Sequence, residues 1–433
     1  MNRFFALFLL GLAGPTAASA QPGNPLKQLL RRDTTAAVRR VLDAAKGHRV
    51  QILYTQIRRD AQGRPSFKTY AYRLRPTEYF YPASTVKLPT AALALEELHE
   101  GRAAIGRGRA LRPTRETPLQ IDSAYAGQTR VRADSTAPGN RPTIGHYIRK
   151  VLLVSDNDAY NRLYEFIGYN TLQALLGRRQ LGATRIVHRL SVGDKAPASG
   201  QTNPFTFFLD SAGHSVPYPM SAQYKTDHLW PAPLRLPGID VGHAYLQNGQ
   251  QVEKPMNFGD KNFFPLAKQQ QVLRALLFPD FVPASQRFNL RPDDYALLRR
   301  YLSLPPRLSR FPQYNPAEYP DNYAKFLLVG GPPAPLPEGV RIYNKIGQAY
   351  GFLIDNACVV DSLRGVEFLL SAVVYCNRDG VLNDDQYDYD AVGFPFMRRL
   401  GQLIYDHELQ RTSPRRTAQV RAYWSALHER SEP

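Results

Sequence analysis

The sequence predicts an α/β fold of the α+β kind: an antiparallel β-sheet flanked by helices, with a mostly helical subdomain. Three observations carry this. Two runs rich in β-branched and aromatic residues, "HRVQILYTQIRRD" and "FKTYAYRLRP", flank the turn "AQGRPS" and read as a hairpin. Two long apolar runs near the other end, "VRIYNKIGQAYGFLIDNACVVD" and "VEFLLSAVVYC", are joined by "SLRG" and read as central strands. Between these pairs most of the periodicity is helical, and helices on an antiparallel sheet are what bury its faces.

The elements follow in order. "MNRFFALFLLGLAGPTAASA" has a basic start, a short apolar run and a small-residue A-x-A ending at Ala20. It reads as a secretory signal peptide, too short in its apolar part to span a bilayer. After a linker, "DTTAAVRRVLDAAKG" forms a helix capped by Asp33 or Thr34 and closed by Gly47, with Val38, Val41 and Leu42 on one face. The hairpin comes next. "STVKLPTAALALEEL" then opens a helix at Ser84 with Leu88, Ala91, Ala92, Leu95 and Leu98 as its buried stripe. Starting there puts the amide missing at Pro89 in the first turn, where its loss matters least. "PTIGHYIRKVLLVSDNDAYNRLYEFIG" is helix, a break at Ser155 to Asp158, and helix again.

Residues 201–337 are rich in Pro, Tyr and Asn, with helices expected at "LAKQQQVLRALLF" and "PDDYALLRRYLSL". This segment reads as an ordered insertion, too aromatic for a disordered linker. After the central strands, "AVGFPFMRRLGQLIYDHEL" is an amphipathic helix, and a basic tail runs from Arg411. The domain reading is therefore a signal peptide over 1–20, a catalytic domain over 33–410 with the 201–337 insertion inside it, and a tail over 411–433.

Composition narrows the function classes. The chain has 433 residues, 43% of them hydrophobic and 21% charged, which suits a soluble globular protein. No other segment approaches ~18 uninterrupted apolar residues, and no cysteine stands directly after the cleavage site. The mature protein is expected to be exported, periplasmic or secreted, without a stable membrane anchor. Lysine and arginine exceed the acids by 55 to 37, giving a formal charge of +18. That balance leans towards acidic envelope polymers. Nucleic acid is excluded as a partner, because no basic run interleaved with aromatics and no zinc-finger or RNA-binding signature occurs. Histidines and cysteines lack metal-ligand spacing, so neither a metal nor another cofactor is expected. In a hairpin turning near Asp361 to Val366, Cys358 pairs close to residue 369. Cys376 then lies roughly 20 Å further on at strand rise, so both thiols are expected to be free.

Three short signals carry the chemistry: "STVK" at Ser84 to Lys87, "SDN" at Ser155 to Asn157, and "KIG" at Lys345 to Gly347. Each alone has a plain structural reading, as a helix cap, an Asx turn or a strand lysine reaching for solvent. Together, in that order and on those elements, they form a set. Ser84 and Lys87 share a helix face, and a lysine in a dry pocket loses its proton more easily and becomes a base.

On these motifs the chain resembles the β-lactamase and penicillin-binding protein superfamily, most nearly the class A β-lactamase-like serine hydrolases. The resemblance extends over nearly the whole mature length. It implies a β-lactamase/transpeptidase-like fold and an acyl-enzyme mechanism. By that resemblance Ser84 is the nucleophile and Lys87 takes its proton. Ser155 relays a proton to the leaving nitrogen, and Lys345 supplies positive charge beside it. Asn157 binds the substrate amide and holds Lys87, Asp156 pins the break between helices, and Gly347 and Gln348 belong to the substrate-binding strand. The backbone amides of Ser84 and Gln348 would form the oxyanion hole. Mutual repulsion of Lys87 and Lys345 is expected to lower both ammonium pKa values.

Two departures bear on the activity. The family's third motif carries Thr or Ser between lysine and glycine; here Ile346 stands there, which weakens recognition of a substrate carboxylate. The family's deacylating glutamate falls on Ser191 when "TR" and "HR" are aligned, and no glutamate lies between Glu165 and Glu253. Asp194 is the nearest carboxylate. Four acids in "NDDQYDYD" just before the last long helix suit a helix N-terminus better than a calcium loop. The expectation is an exported serine hydrolase acting on a small-molecule or peptide acyl substrate, an amide or a β-lactam-like compound of the cell envelope. The alternatives are a weak β-lactamase with another water activator, and a catalytically reduced envelope-ligand binder.

Overall fold

The computed structural model describes residues 23–100, 112–193, 198–211, 214–223 and 231–429. The expected signal peptide and Asp194 lie outside them. The stretch expected to be a linker is a helix, α1 (Pro25–Arg32), with Asn24 capping it through Oδ1 and Pro25 at its first position. Then come α2 (Ala36–Leu42) and the hairpin of β1 (Gln51–Arg59) and β2 (Pro65–Tyr72). A single 3₁₀ turn, Ala83–Val86, leads into α3 (Lys87–Glu100). After β3 (Leu119–Ile121) the helices α4 (Ile144–Val154), α5 (Asn157–Ile167) and α6 (Tyr169–Arg178) follow.

The 201–337 segment holds the two expected helices, α7 (Leu266–Leu277) and α8 (Pro292–Ser303), and several short strands that were not expected. Those are β4 (Phe205–Ser211), β5 (His214–Met220), β6 (Asp240–Val241), β7 (Ala244–Gln247), β8 (Gln250–Val252) and β9 (Met256–Asn257). The chain ends with β10 (Val340–Ala349), β11 (Phe352–Asp361), β12 (Val366–Tyr375), β13 (Val381–Leu382), α9 (Phe394–Leu409) and α10 (Pro414–Glu429). A π turn, Tyr389–Gly393, opens α9.

The main sheet has the order β10-β11-β12-β1-β2 and every neighbouring pair is antiparallel. Burial on both faces is why β11 and β12 read as continuous apolar runs: all twenty of their residues are buried. One face packs Ile52, Ile342, Val359 and Phe368 against α1, α2 and α9. The other packs Ile57, Tyr343 and Val360 against α3 to α8, with Val420 and Trp424 of α10. The acids in these strands are paired. Glu367 on β12 takes Arg59 at 2.6 and 2.7 Å and the indole of Trp424 at 3.0 Å. Cys358 opposes Leu369, and both cysteines are free and buried.

The expected stripe of α3 is buried, but so is the rest of the helix from Lys87 to Leu98. It is the central helix of its layer. Its polar side is neutralised internally, with Glu96 held by Arg179 at 2.9 Å through both carboxylate oxygens. Among the described residues no helix is long and apolar enough to cross a membrane.

Candidate active site

Three elements meet where the 3₁₀ turn before α3, the α4–α5 break and β10 come together. The turn is entered through Ala83, which holds a left-handed backbone at φ 46° and so aims the following residue, Ser84. Strand β10 runs directly over this turn. A Cβ on Gly347 would lie 2.7 Å from the Pro82 carbonyl and 3.2 Å from Ala83 Cβ, so only glycine lets strand and turn approach this closely. Pro89 sits in the first turn of α3, as expected.

The break between α4 and α5 is made by two adjacent residues. Ser155 ends α4 in the left-handed region at φ 62°. Asp156 caps α5 by accepting the Ala159 amide at 2.8 Å. That reversal turns Ser155 and Asn157 towards Lys87. The Lys87 ammonium donates to the Ser155 carbonyl at 2.5 Å, to Ser155 Oγ at 3.3 Å and to Asn157 Oδ1 at 2.6 Å. Lys345 donates to Ser155 Oγ at 2.7 Å and to the Ile346 carbonyl at 3.1 Å. Ser155 Oγ therefore bridges the two lysines. Among the described residues no hydrogen bond joins the Lys87 ammonium to Ser84, which the spacing alone had suggested.

Both lysines are shut off from water, Lys87 at 0% and Lys345 at 3% exposure. Burial pushes Lys87 down to about 7, with Asp156 opposing. Lys345 is pushed well below its ordinary value by burial first, then by the charge of Lys87, with Asp355 opposing and Lys325 adding repulsion. Loss of water is the largest cause at both sites, and at Lys345 the charge of the neighbouring lysine adds to it, in the direction expected for repulsion between the pair.

Ser84, Ser155, Asn157, Ile346 and Gln348 line a cleft of about 820 Å³, whereas Lys87, Lys345 and Gly347 form its buried support. Ser191, at the aligned glutamate position, also lines it and accepts from Asn157 Nδ2 at 2.9 Å. Its own φ is 58°. The insertion contributes Pro320, Asn322, Tyr323, Phe326 and Gly331 to the wall, and the loop before α9 contributes Asn383, Asp385, Tyr387 and Tyr389. Two acids of that loop hold nearby backbone: Asp388 accepts the Arg378 amide and Asp384 the Gln386 amide. No group of three or more metal-ligating side chains occurs among the described residues.

A second buried network lies behind β10 and was not anticipated. Lys325, in the insertion, donates to the Leu302 carbonyl at 2.7 Å and to Asn344 Oδ1 at 2.5 Å. Asn344 Nδ2 donates in turn to Asp355 at 2.7 Å, and Asp355 also accepts the amides of Phe326 and Leu327 at 3.0 and 2.9 Å. Burial pushes Lys325 down to about 7 and Asp355 up from its ordinary value. This network fixes the segment carrying Phe326 against β10, which carries Lys345 and Gln348, and against β11. The one sequence signal for it was an aspartate inside the apolar run "FLIDNACVV".

Residues 33–210 match the model of the β-lactamase enzyme family. No curated protein matches the chain. Among solved structures it is similar to a β-lactamase from Xanthomonas campestris pv. campestris, with 17% identity, TM-score 0.43, and 88% of this chain and 97% of that one covered. It is also similar to a class A β-lactamase from Clostridium kluyveri, with 14% identity, TM-score 0.42 and the same coverages of 88% and 97%. A β-lactamase from Streptomyces albus G gives 15% identity, TM-score 0.40, and 86% and 99% coverage. At these scores the likenesses add nothing to the architecture already described.

Proposed function

We infer, from the chain's place in the β-lactamase-like serine hydrolase superfamily, that it is an exported hydrolase which forms an acyl-enzyme on Ser84. The substrate is an amide or a β-lactam-like acyl compound. Ser84 Oγ attacks the acyl carbonyl as Lys87 takes its proton. Ser155, bonded to both lysines, passes a proton to the leaving group. Lys345 steadies the negative charge that Ser155 carries while the proton is in transit. Asn157 holds Lys87 and meets the substrate amide, and the amides of Ser84 and Gln348, on either side of the Gly347 contact, stabilise the oxyanion.

The observation that carries this reading is the single chain of contacts from Lys87 through Ser155 Oγ to Lys345, with both lysines buried beneath a cleft that Ser84 and Ser155 line. A lysine near pKa 7 is divided between base and acid at neutral pH, which is what a proton shuttle needs. Release of the acyl group is slow in this reading, because the place aligned with a water-activating glutamate holds Ser191. Intact-mass spectrometry after incubation with 4-nitrophenyl phenylacetate tests it. One phenylacetyl adduct is expected on the wild type and none on Ser84→Ala. Equal labelling of both would remove Ser84 from the mechanism, and no labelling of either would favour the ligand-binding alternative.

A further inference from the structure

The cleft has an unusual charge balance for a chain so basic. Among the described residues lining it there is no lysine or arginine, and its one acid is Asp385 on the exposed rim. The two lysines beneath the floor already donate to Ser155, Asn157 and the Ile346 carbonyl. The side chain that β10 adds to the lining between Lys345 and Gly347 is Ile346, which has no donor to offer.

The walls are rings. Tyr81 and Tyr350 meet edge to face at 5.0 Å on one side, and Phe326 and Phe394 do so at 5.0 Å on the other. Tyr387 and Tyr389, 5.3 Å apart, also line the cleft, each with its hydroxyl accepting a backbone amide, of Asn383 and of Gly351. The network of Lys325, Asn344 and Asp355 holds the backbone at Phe326 in place. A carboxylate entering this space would exchange water for ring faces, would meet no lysine or arginine among the described lining residues, and would face Asp385. An uncharged apolar or aromatic group would gain ring contact at little cost.

We propose, on the reading that Ser84 is the nucleophile, that the cleft selects uncharged acyl donors bearing an aromatic or apolar group and discriminates against donors with a carboxylate beside the scissile bond. A matched pair of esters tests this: 3-[(phenylacetylglycyl)oxy]benzoic acid and the corresponding 3-carboxamide. In each, Ser84 Oγ bonds to the glycyl carbonyl carbon, the bond to the phenol oxygen breaks, and the serine proton reaches that oxygen through Lys87 and Ser155. The same phenylacetylglycyl enzyme results, so only the charge of the departing phenol differs. Acylation rates are read by intact mass and phenol release, each divided by the ester's own rate with hydroxide.

The carboxamide is expected to acylate about tenfold faster, the scale set by an unpaired charge in a poorly solvated site. The ratio should shrink in Asp385→Lys, which places a cation on the rim. A normalised ratio below about threefold, too small for a desolvated charge, or a preference for the carboxylate, overturns the proposal while leaving Ser84 as nucleophile. Adduct that forms equally on Ser84→Ala, or on neither protein, overturns the nucleophile reading itself and this proposal with it.

Discussion

Two lysines in this molecule sit in matching pockets. Lys87 bonds the Ser155 carbonyl at 2.5 Å and Asn157 Oδ1 at 2.6 Å; Lys325 bonds the Leu302 carbonyl at 2.7 Å and Asn344 Oδ1 at 2.5 Å. Burial pushes both down to about 7. They differ in what lies one contact further out. Beyond Lys87 are Ser155 Oγ, Lys345 and the cleft with Ser84. Beyond Lys325 is Asp355, itself saturated by two backbone amides and an asparagine. A perturbed pKa therefore does not single out a catalytic lysine by itself. What sets Lys87 apart is its contact with a hydroxyl that opens on the cleft.

Substitution should separate the two lysines most clearly. Lys87→Met should lower the single-turnover acylation rate of Ser84 by about 10³, the usual range for losing a general base, while Lys325→Met should leave it within about threefold. Rapid-quench mass spectrometry reads both, and a similar loss in the two variants would mean that both networks serve the chemistry.

Asp355→Ala should act in the opposite sense, on stability first. It strands the amides of Phe326 and Leu327 and the Asn344 side chain, costing about 3 kcal/mol, visible as a lower urea midpoint with an unchanged slope. An unchanged midpoint would show that the network is not a structural clamp.

Stability should also depend on pH through these lysines. Each is held near 7 in the folded chain against an ordinary value of 10.5. Between those values the unfolded chain binds more protons, so stability rises with pH, by about 1.4 kcal/mol per unit for each lysine at most. Urea unfolding from pH 7 to 10 should show a shallower rise in Lys325→Met than in the wild type. Parallel curves would place the charged form of Lys325 in the fold. The smallest effect is expected at Ser191→Ala, which removes one hydrogen bond to Asn157, worth about 1 kcal/mol. Acylation should slow only severalfold; a complete loss would give Ser191 a larger part than orienting Asn157.

Much of this was legible in the sequence because it is written in local pattern. The hairpin followed from alternation around one turn, and the pairing of Cys358 near residue 369 followed from counting across "SLRG". The helix break expected at Ser155 to Asp158 followed from residues that cap and turn, and it is confined to Ser155 and Asp156. What escaped was set by distant partners or by weak local cues. Strand β5, "HSVPYPM", carries Pro217 and Pro219, which argue against a strand unless it lies at an edge, as it does here. Helix α1 had its signal in Asn24 and Pro25, yet it is only eight residues long. The Lys325–Asn344–Asp355 network joins side chains up to thirty positions apart, which no period connects. Among the site residues, Ser155, Asn157 and Lys345 could be named from motifs, whereas the aromatic walls, drawn from four separate segments, required the fold.

If Lys87 is the base for Ser84, the pH profile of Ser84 acylation follows the titration of that lysine. Single-turnover rates with a neutral aryl ester, measured from pH 5 to 9, should rise along a limb with its midpoint near 7, where Lys87 loses its proton. Lys87→Met should lose both the limb and most of the rate. A flat profile in the wild type, or a limb that survives in Lys87→Met, would contradict the account and move the base elsewhere.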